Sequence, residues 1–144
     1  MNYKIFSMKK INKKLFALMT MMVLTMGMAT TVFAVVAWDS FDVKLPKNNK
    51  DKEVSTVKRS SGQNSKKYFT IDLSSIGKGY TSVCAWTESS TGSNYSNPST
   101  QVNTGSKNVN YAKVPKKGKK VVLNLDNPVK TTVTPRIKGE WTPN

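Results

Sequence analysis

Hydrophobic and polar residues alternate along most of this chain, with a period of two. The clearest run is Lys67–Leu73, where Phe69, Ile71 and Leu73 face one way and Tyr68, Thr70 and Asp72 the other. That period belongs to an extended strand with one buried face. The same rhythm sets Phe41, Val43 and Leu45 on one side of Trp38–Leu45, and it runs through Val109 and Tyr111 in Lys107–Val114. Val121, Leu123 and Leu125 share a face, as do Ile137, Gly139 and Trp141 near the end. In Tyr80–Thr87, Val83 and Ala85 oppose Tyr80, Cys84 and Trp86, so that strand is expected to be covered on both faces. Shorter strands are predicted at Val54–Arg59 and Ser99–Val102, with a last pair starting at Val129–Val133.

Turn-forming residues punctuate these runs. Pro46–Glu53 carries Asn48-Asn49, Ser60–Ser65 is small and polar, and Gly77-Lys78-Gly79, Pro115–Lys120 and Asn127-Pro128 read as turns. Glu88–Pro98 is a long polar loop around Tyr95. After residue 35 no apolar spacing of three and four persists over ten positions, so helix beyond a turn or two is not expected. The fold predicted is all-β, a single antiparallel β-sandwich of about seven to nine strands. A barrel is the second choice.

The first 34 residues follow a different rule. Lys4, Lys9, Lys10, Lys13 and Lys14 precede an apolar run from Leu15 to Met28, and small residues close it at Ala29 and Ala34. Basic, apolar, then small is the layout of a helical secretory signal peptide, and the run is short for a membrane span. The division expected is therefore a signal peptide at 1–34 and a secreted domain at 35–144. Cleavage after Ala37 is the alternative to Ala34, and Met8 is an alternative start. The domain that remains has 110 residues, enough for a core without covalent staples. Cys84 is the single cysteine, so no intramolecular disulfide forms even in an oxidising compartment.

Charge narrows the function. The whole chain has 23 Lys and Arg against 8 Asp and Glu, a net of +15. Without the five leader lysines, 18 basic residues face the same 8 acids, a net of +10. Sixteen of the 18 are lysines, and Arg59 and Arg136 are the exceptions. Lysine is a hydrated point charge, whereas arginine offers a planar fork for paired recognition. The balance favours diffuse, salt-sensitive attraction to polyanions over sequence-specific nucleic-acid readout. Between Glu88 and Asp126 there is no acid, and Lys107, Lys113, Lys116, Lys117, Lys119 and Lys120 fall in that window. These six are the candidate anion-binding residues, four of them expected to project from the Pro115–Lys120 turn.

Chemistry is harder to find. With no histidine, the commonest general base and metal ligand is missing, and one cysteine cannot build a structural zinc site. Cys84, between Val83 and Ala85, reads as a small buried thiol. Ser75-Ile76-Gly77-Lys78 matches a Ser-x-x-Lys pair, but Ser7 with Lys10 and Ser55 with Lys58 do so as well, at a frequency chance explains. Asp39, Asp42, Asp72, Glu88, Asp126 and Glu140 show no informative spacing for a carboxylate pair. No catalytic residue, cofactor site or metal site is assigned, and an enzyme is not expected.

The chain closes on Lys138-Gly139-Glu140-Trp141-Thr142-Pro143-Asn144. This resembles the Gly-x-Trp-[Ser/Thr]-Pro ending of a group of small secreted Gram-positive proteins that share a domain of unknown function. The leader, the β-rich body of about a hundred residues and the late Lys117-Gly118 turn are similar too, while Asn144 stands where that group has an acid. The resemblance implies an extracellular all-β domain and brings no catalytic residues. The function expected is a secreted, non-catalytic protein of unstated role that associates with anionic cell-wall polymers or a membrane surface through its lysine-rich loop. The alternative is a secreted cationic antimicrobial or toxin-like protein. That role calls for an amphipathic helix or large apolar patch, which the sequence does not offer.

Overall fold

In the computed structural model, residues 36–48, 50–60, 66–77 and 79–144 are described. The leader at 1–34 and Lys78 of the predicted glycine turn lie outside them. Eight strands follow one another: β1 (Asp39–Lys44), β2 (Lys52–Lys58), β3 (Tyr68–Ile76), β4 (Ser82–Ser89), β5 (Gln101–Asn103), β6 (Gly105–Asn110), β7 (Lys120–Asp126) and β8 (Arg136–Thr142). The described residues contain no helix. The alternating segments became strands for the reason they alternate. In β3, Phe69, Ile71 and Leu73 are buried, and in β7 so are Val121, Leu123 and Leu125. Each such side chain contributes roughly 1.5–3 kcal/mol on leaving water, and only an extended backbone puts all three on one face.

The strands form two antiparallel sheets, ordered β1-β8-β3-β6 and β2-β7-β4-β5. The pairs β1–β8, β2–β7, β3–β6 and β4–β5 show the logic. The chain doubles back at its middle into one long ribbon. That ribbon then wraps so that β8 meets β3 and β7 meets β4. This is a jelly-roll sandwich, which the alternation alone could not distinguish from other sandwiches. Alternate connections fall at opposite ends. The β2–β3, β4–β5 and β6–β7 connections share one end with Asn144, which follows β8.

Between the sheets lies one apolar core including Phe41, Leu45, Phe69, Ile71, Leu73, Val83, Ala85, Val102, Val109 and Ile137. Trp141 closes it from β8, fully buried. Its indole N–H donates to Ser55 Oγ of β2, 2.6 Å away, which joins the two sheets. Gly139 is explained by backbone. It lies between Phe41 and Leu73 of the flanking strands, where β3 shifts register between Leu73 and Ser75. A Cβ there would stand 2.2 Å from the Asp72 carbonyl oxygen. The Gly-x-Trp spacing thus puts a bare position against the irregularity and a large side chain two residues on, facing the same way.

Three local expectations need correction. Val129–Val133 is no strand: Pro128 and Pro135 bracket it, and Thr131 serves other partners. The Thr131 carbonyl accepts from Asn48 N (2.7 Å) and its hydroxyl from Tyr80 (2.7 Å). The predicted Lys107–Val114 strand stops at Asn110. There Tyr111 N turns to the Lys67 carbonyl, and the Ala112 and Lys113 N–H groups both donate to the Tyr95 carbonyl. Lys113–Lys120 is consequently a crossing between sheets and not a hairpin tip. Finally, Cys84 is half-buried and points away from the core, opposite Asp126.

Candidate functional site

The lysine-rich crossing is held from below by Arg59. This residue leaves β2 as the chain heads for β3, and among the described residues it is the only charged one that is buried. Its backbone brackets the turn: Arg59 N donates to the Lys119 carbonyl (2.9 Å) and Gly118 N donates to the Arg59 carbonyl (2.9 Å). Gly118 takes the positive φ of 74° that this turn requires. The guanidinium then spreads its fork. Nε donates to the Asn144 backbone oxygen (2.6 Å), Nη2 to the Lys66 carbonyl (2.5 Å), and Nη1 to the Pro115 carbonyl. The cation also sits 5.8 Å from the Tyr111 ring centroid. Tyr111 in turn donates its hydroxyl to the Pro143 carbonyl (2.6 Å), and burial pushes its phenol well above the usual range. One arginine therefore ties together the β2–β3 connection, the lysine crossing and the segment after β8.

Beside this anchor runs a groove of about 400 Å³. One wall comes from the β6–β7 crossing, with Lys113, Val114, Lys116 and Lys119. The other comes from the β4–β5 loop, with Ser89, Thr91, Ser93, Asn94 and Tyr95. Among the described residues, no carboxylate lines it. The walls are stitched by the Tyr95 carbonyl, which accepts from Ala112 N (2.8 Å) and Lys113 N (3.0 Å), and by the Ser96–Tyr111 bridge. Hydroxyl chemistry shapes the second wall: Ser89 Oγ accepts from Thr91 N (3.3 Å) and Ser93 N (3.0 Å).

The six candidate lysines divide. Lys113, Lys116 and Lys119 line the groove, and all three are exposed. Lys117 and Lys120 are exposed on the same crossing and at the start of β7, where Lys120 pairs with Lys58 of β2. Lys107 does not join them. It lies on β6, and its ammonium reaches the Gln101 carbonyl of β5 (2.7 Å), linking the edges of the two sheets. Among the described residues, Arg136 and Lys138 pair with Asp42, and no groove lysine is locked to a carboxylate.

Two further concavities carry acids. Toward the opposite end, Asp51, Cys84, Trp86, Asp126 and Asn127 line one of about 300 Å³. Burial, with Asp51 nearby, raises the Asp126 carboxyl above its ordinary value, and burial with Asp126 opposite raises the Cys84 thiol. A thiol held protonated is a poor nucleophile. On the outer face of the first sheet, the register places Asp72 directly opposite Glu140 in a dent of about 380 Å³. Sequence spacing could not reveal that pair, 68 positions apart. Glu140 is exposed, which is not the water-excluded setting a general acid needs. Among the described residues, no three His, Cys, Asp or Glu side chains are grouped to hold a metal ion.

Arg59 and the hydroxyl wall escaped the sequence reading. Arg59 closes the short strand predicted at Val54–Arg59, where local pattern says nothing of distant partners, but the scarcity of arginine is a signal. In a domain that otherwise uses lysine, both arginines do work that needs a fork. Arg136 grips Asp42 through two bonds of 2.6 and 2.7 Å, and holds that carboxyl below its ordinary range. Comparison with known proteins finds no matching family model, no matching curated protein and no matching solved structure.

Proposed function

We propose that this is a secreted, non-catalytic binding protein of a Gram-positive cell, one of the small group sharing its Gly-x-Trp-Thr-Pro ending, that holds anionic envelope polymers in the groove beside Arg59. One observation carries the reading: three solvated ammonium groups line a concavity to which no described residue brings a carboxylate. Each lysine near a polyanionic surface contributes about 1 kcal/mol, so three together give about a hundredfold in affinity at low ionic strength. The attraction fades over a Debye length of about 8 Å at physiological salt, which makes the binding reversible. Lys117, Lys120 and Lys58 widen the same field.

The test is retention of the purified protein on immobilised anionic wall polymer as salt is raised. Retention at low salt with release well below 1 M is expected. Equal retention on a neutral glycan matrix would remove the electrostatic basis of the reading.

A further inference from the structure

The two walls of the groove ask for different things from a ligand. The lysine wall offers only donors and positive charge. The opposite wall is neutral, and part of it is uncommitted. Ser89 Oγ is spent on its own loop, but among the described residues no hydrogen bond engages the side chains of Ser93, Asn94 or Tyr95. Those three present a hydroxyl, a carboxamide and a phenol. Each has acceptor lone pairs as well as donors. Acceptors are wasted, or mildly repulsive, against a bare chain of phosphates. They are matched by ligand hydroxyl groups.

From this asymmetry, and resting on the function proposed above, we infer that the groove recognises a polyol phosphate, with phosphodiesters on Lys113, Lys116 and Lys119 and the intervening hydroxyls on Ser93, Asn94 and Tyr95. The lysines suit a phosphodiester, which carries one charge over two free oxygens and needs no arginine fork. Tyr95, half-buried and packed on the core, gives a fixed ring face for the carbon backbone of the polyol. The volume is that of a small-ligand site, room for a short segment and not a whole chain.

Glycerol phosphate occurs both in wall polymers and in the headgroup of phosphatidylglycerol, and the experiment separates the two sources. Binding of the purified protein is measured at fixed salt and matched phosphate concentration. The probes are poly(glycerol phosphate), inorganic polyphosphate, and vesicles of phosphatidylglycerol in phosphatidylcholine. Glycerol phosphate, as polymer or vesicle, should bind about tenfold more tightly than polyphosphate, the worth of one or two net hydrogen bonds. Whichever of polymer and vesicle binds identifies the source. Asn94→Ala with Tyr95→Phe should erase that preference and leave polyphosphate binding within about twofold. Lys113→Gln with Lys116→Gln should weaken both. Polyphosphate binding as tightly as glycerol phosphate overturns this inference and leaves the anion-binding function standing. Absence of binding to any probe overturns both.

Discussion

The two grooves of the β2-β7-β4-β5 sheet are opposites in charge and in how that charge is held. At one end Lys113, Lys116 and Lys119 stand in water, and the buried cation beneath them, Arg59, is surrounded by backbone oxygens. Toward the other end Asp126 is half-buried with Asp51 as neighbour, and its carboxyl is pushed up. A surplus of +15 on the whole chain says nothing of this separation. The fold makes it, because every second connection lands at the same end and the acid-free window between Glu88 and Asp126 supplies two loops to that end. The lesson is that the lysine end invests its hydrogen bonds in holding a loop shape, and leaves its charges free for something else.

Arg59 is where the contrast breaks most completely. Replacing it with Met leaves the oxygens of Asn144, Lys66 and Pro115 without their donor in a buried place. A loss of about 3–5 kcal/mol in urea unfolding is expected, because charged donors to buried backbone oxygens are costly to remove. Arg59→Lys should recover less than half, since a single ammonium cannot span three backbone oxygens that a fork reaches. A cost below about 1 kcal/mol for Arg59→Met would mean that the crossing keeps its shape by other means.

The lysines themselves should behave in the reverse manner. Lys113→Gln, Lys116→Gln and Lys119→Gln together should change stability by under about 0.5 kcal/mol, as surface positions do. Polyanion affinity measured at low salt should fall about thirtyfold to a hundredfold. Lys47, Lys50 and Lys130, which are exposed in the connections of the far end, provide the control. The same three changes there remove equal net charge and should alter affinity by no more than about threefold, through the weakened overall field alone. Equal losses from both triples would show a diffuse surface effect and no groove.

How much of this was legible beforehand follows from the range over which each feature is decided. The faces of β3, β7 and β8 were readable because alternation at Phe69, Ile71 and Leu73, or at Ile137, Gly139 and Trp141, is local. The lysine crossing was visible as composition. The sheet order was not, because it depends on pairings between residues far apart in the chain, 68 positions for Asp72–Glu140 and 102 for Asp39–Trp141. The misplacing of Lys107 has the same origin: it was grouped by sequence with lysines that the crossing carries away to the other sheet. Gly139 could be seen, but its reason lies in the Asp72 carbonyl of a neighbouring strand.

A smaller effect is expected at the far end. Tyr80 donates to Thr131 Oγ1, and Val133 N donates to the same hydroxyl oxygen at 3.1 Å. Tyr80→Phe keeps the ring and removes one bond in a half-buried place, a cost of about 1 kcal/mol by urea unfolding. That is a fraction of the Arg59 effect, although both residues tie connections together. The difference measures a neutral single bond against a buried charged fork. Equal costs at the two ends would erase the distinction drawn between them.

The acid groove gives the smallest change and the one with a distinctive pH signature. Asp126 has its carboxyl raised by burial and by Asp51. The folded chain therefore holds that proton more tightly than the unfolded chain, whose ordinary value is 3.8. Stability falls as pH rises through the interval between the two values, and stays reduced above it. Asp126→Asn keeps an oxygen to accept from Asn127 N and removes the ionisation. It should raise Tm slightly at pH 7, and the gain should vanish near pH 3, where Asp126 is neutral in both states. Asp42, lowered by Arg136, has the opposite slope: its stabilisation is present above its unfolded value and is lost as pH falls through the folded one. Asp42→Asn should accordingly lower Tm at pH 7 and converge with the parent in acid. Thermal melts of the two variants from pH 3 to 7 should diverge from the parent in opposite directions. Melts that diverge in the same direction would show that Asp126 is paired after all, and the far groove would lose its contrast with the lysine end.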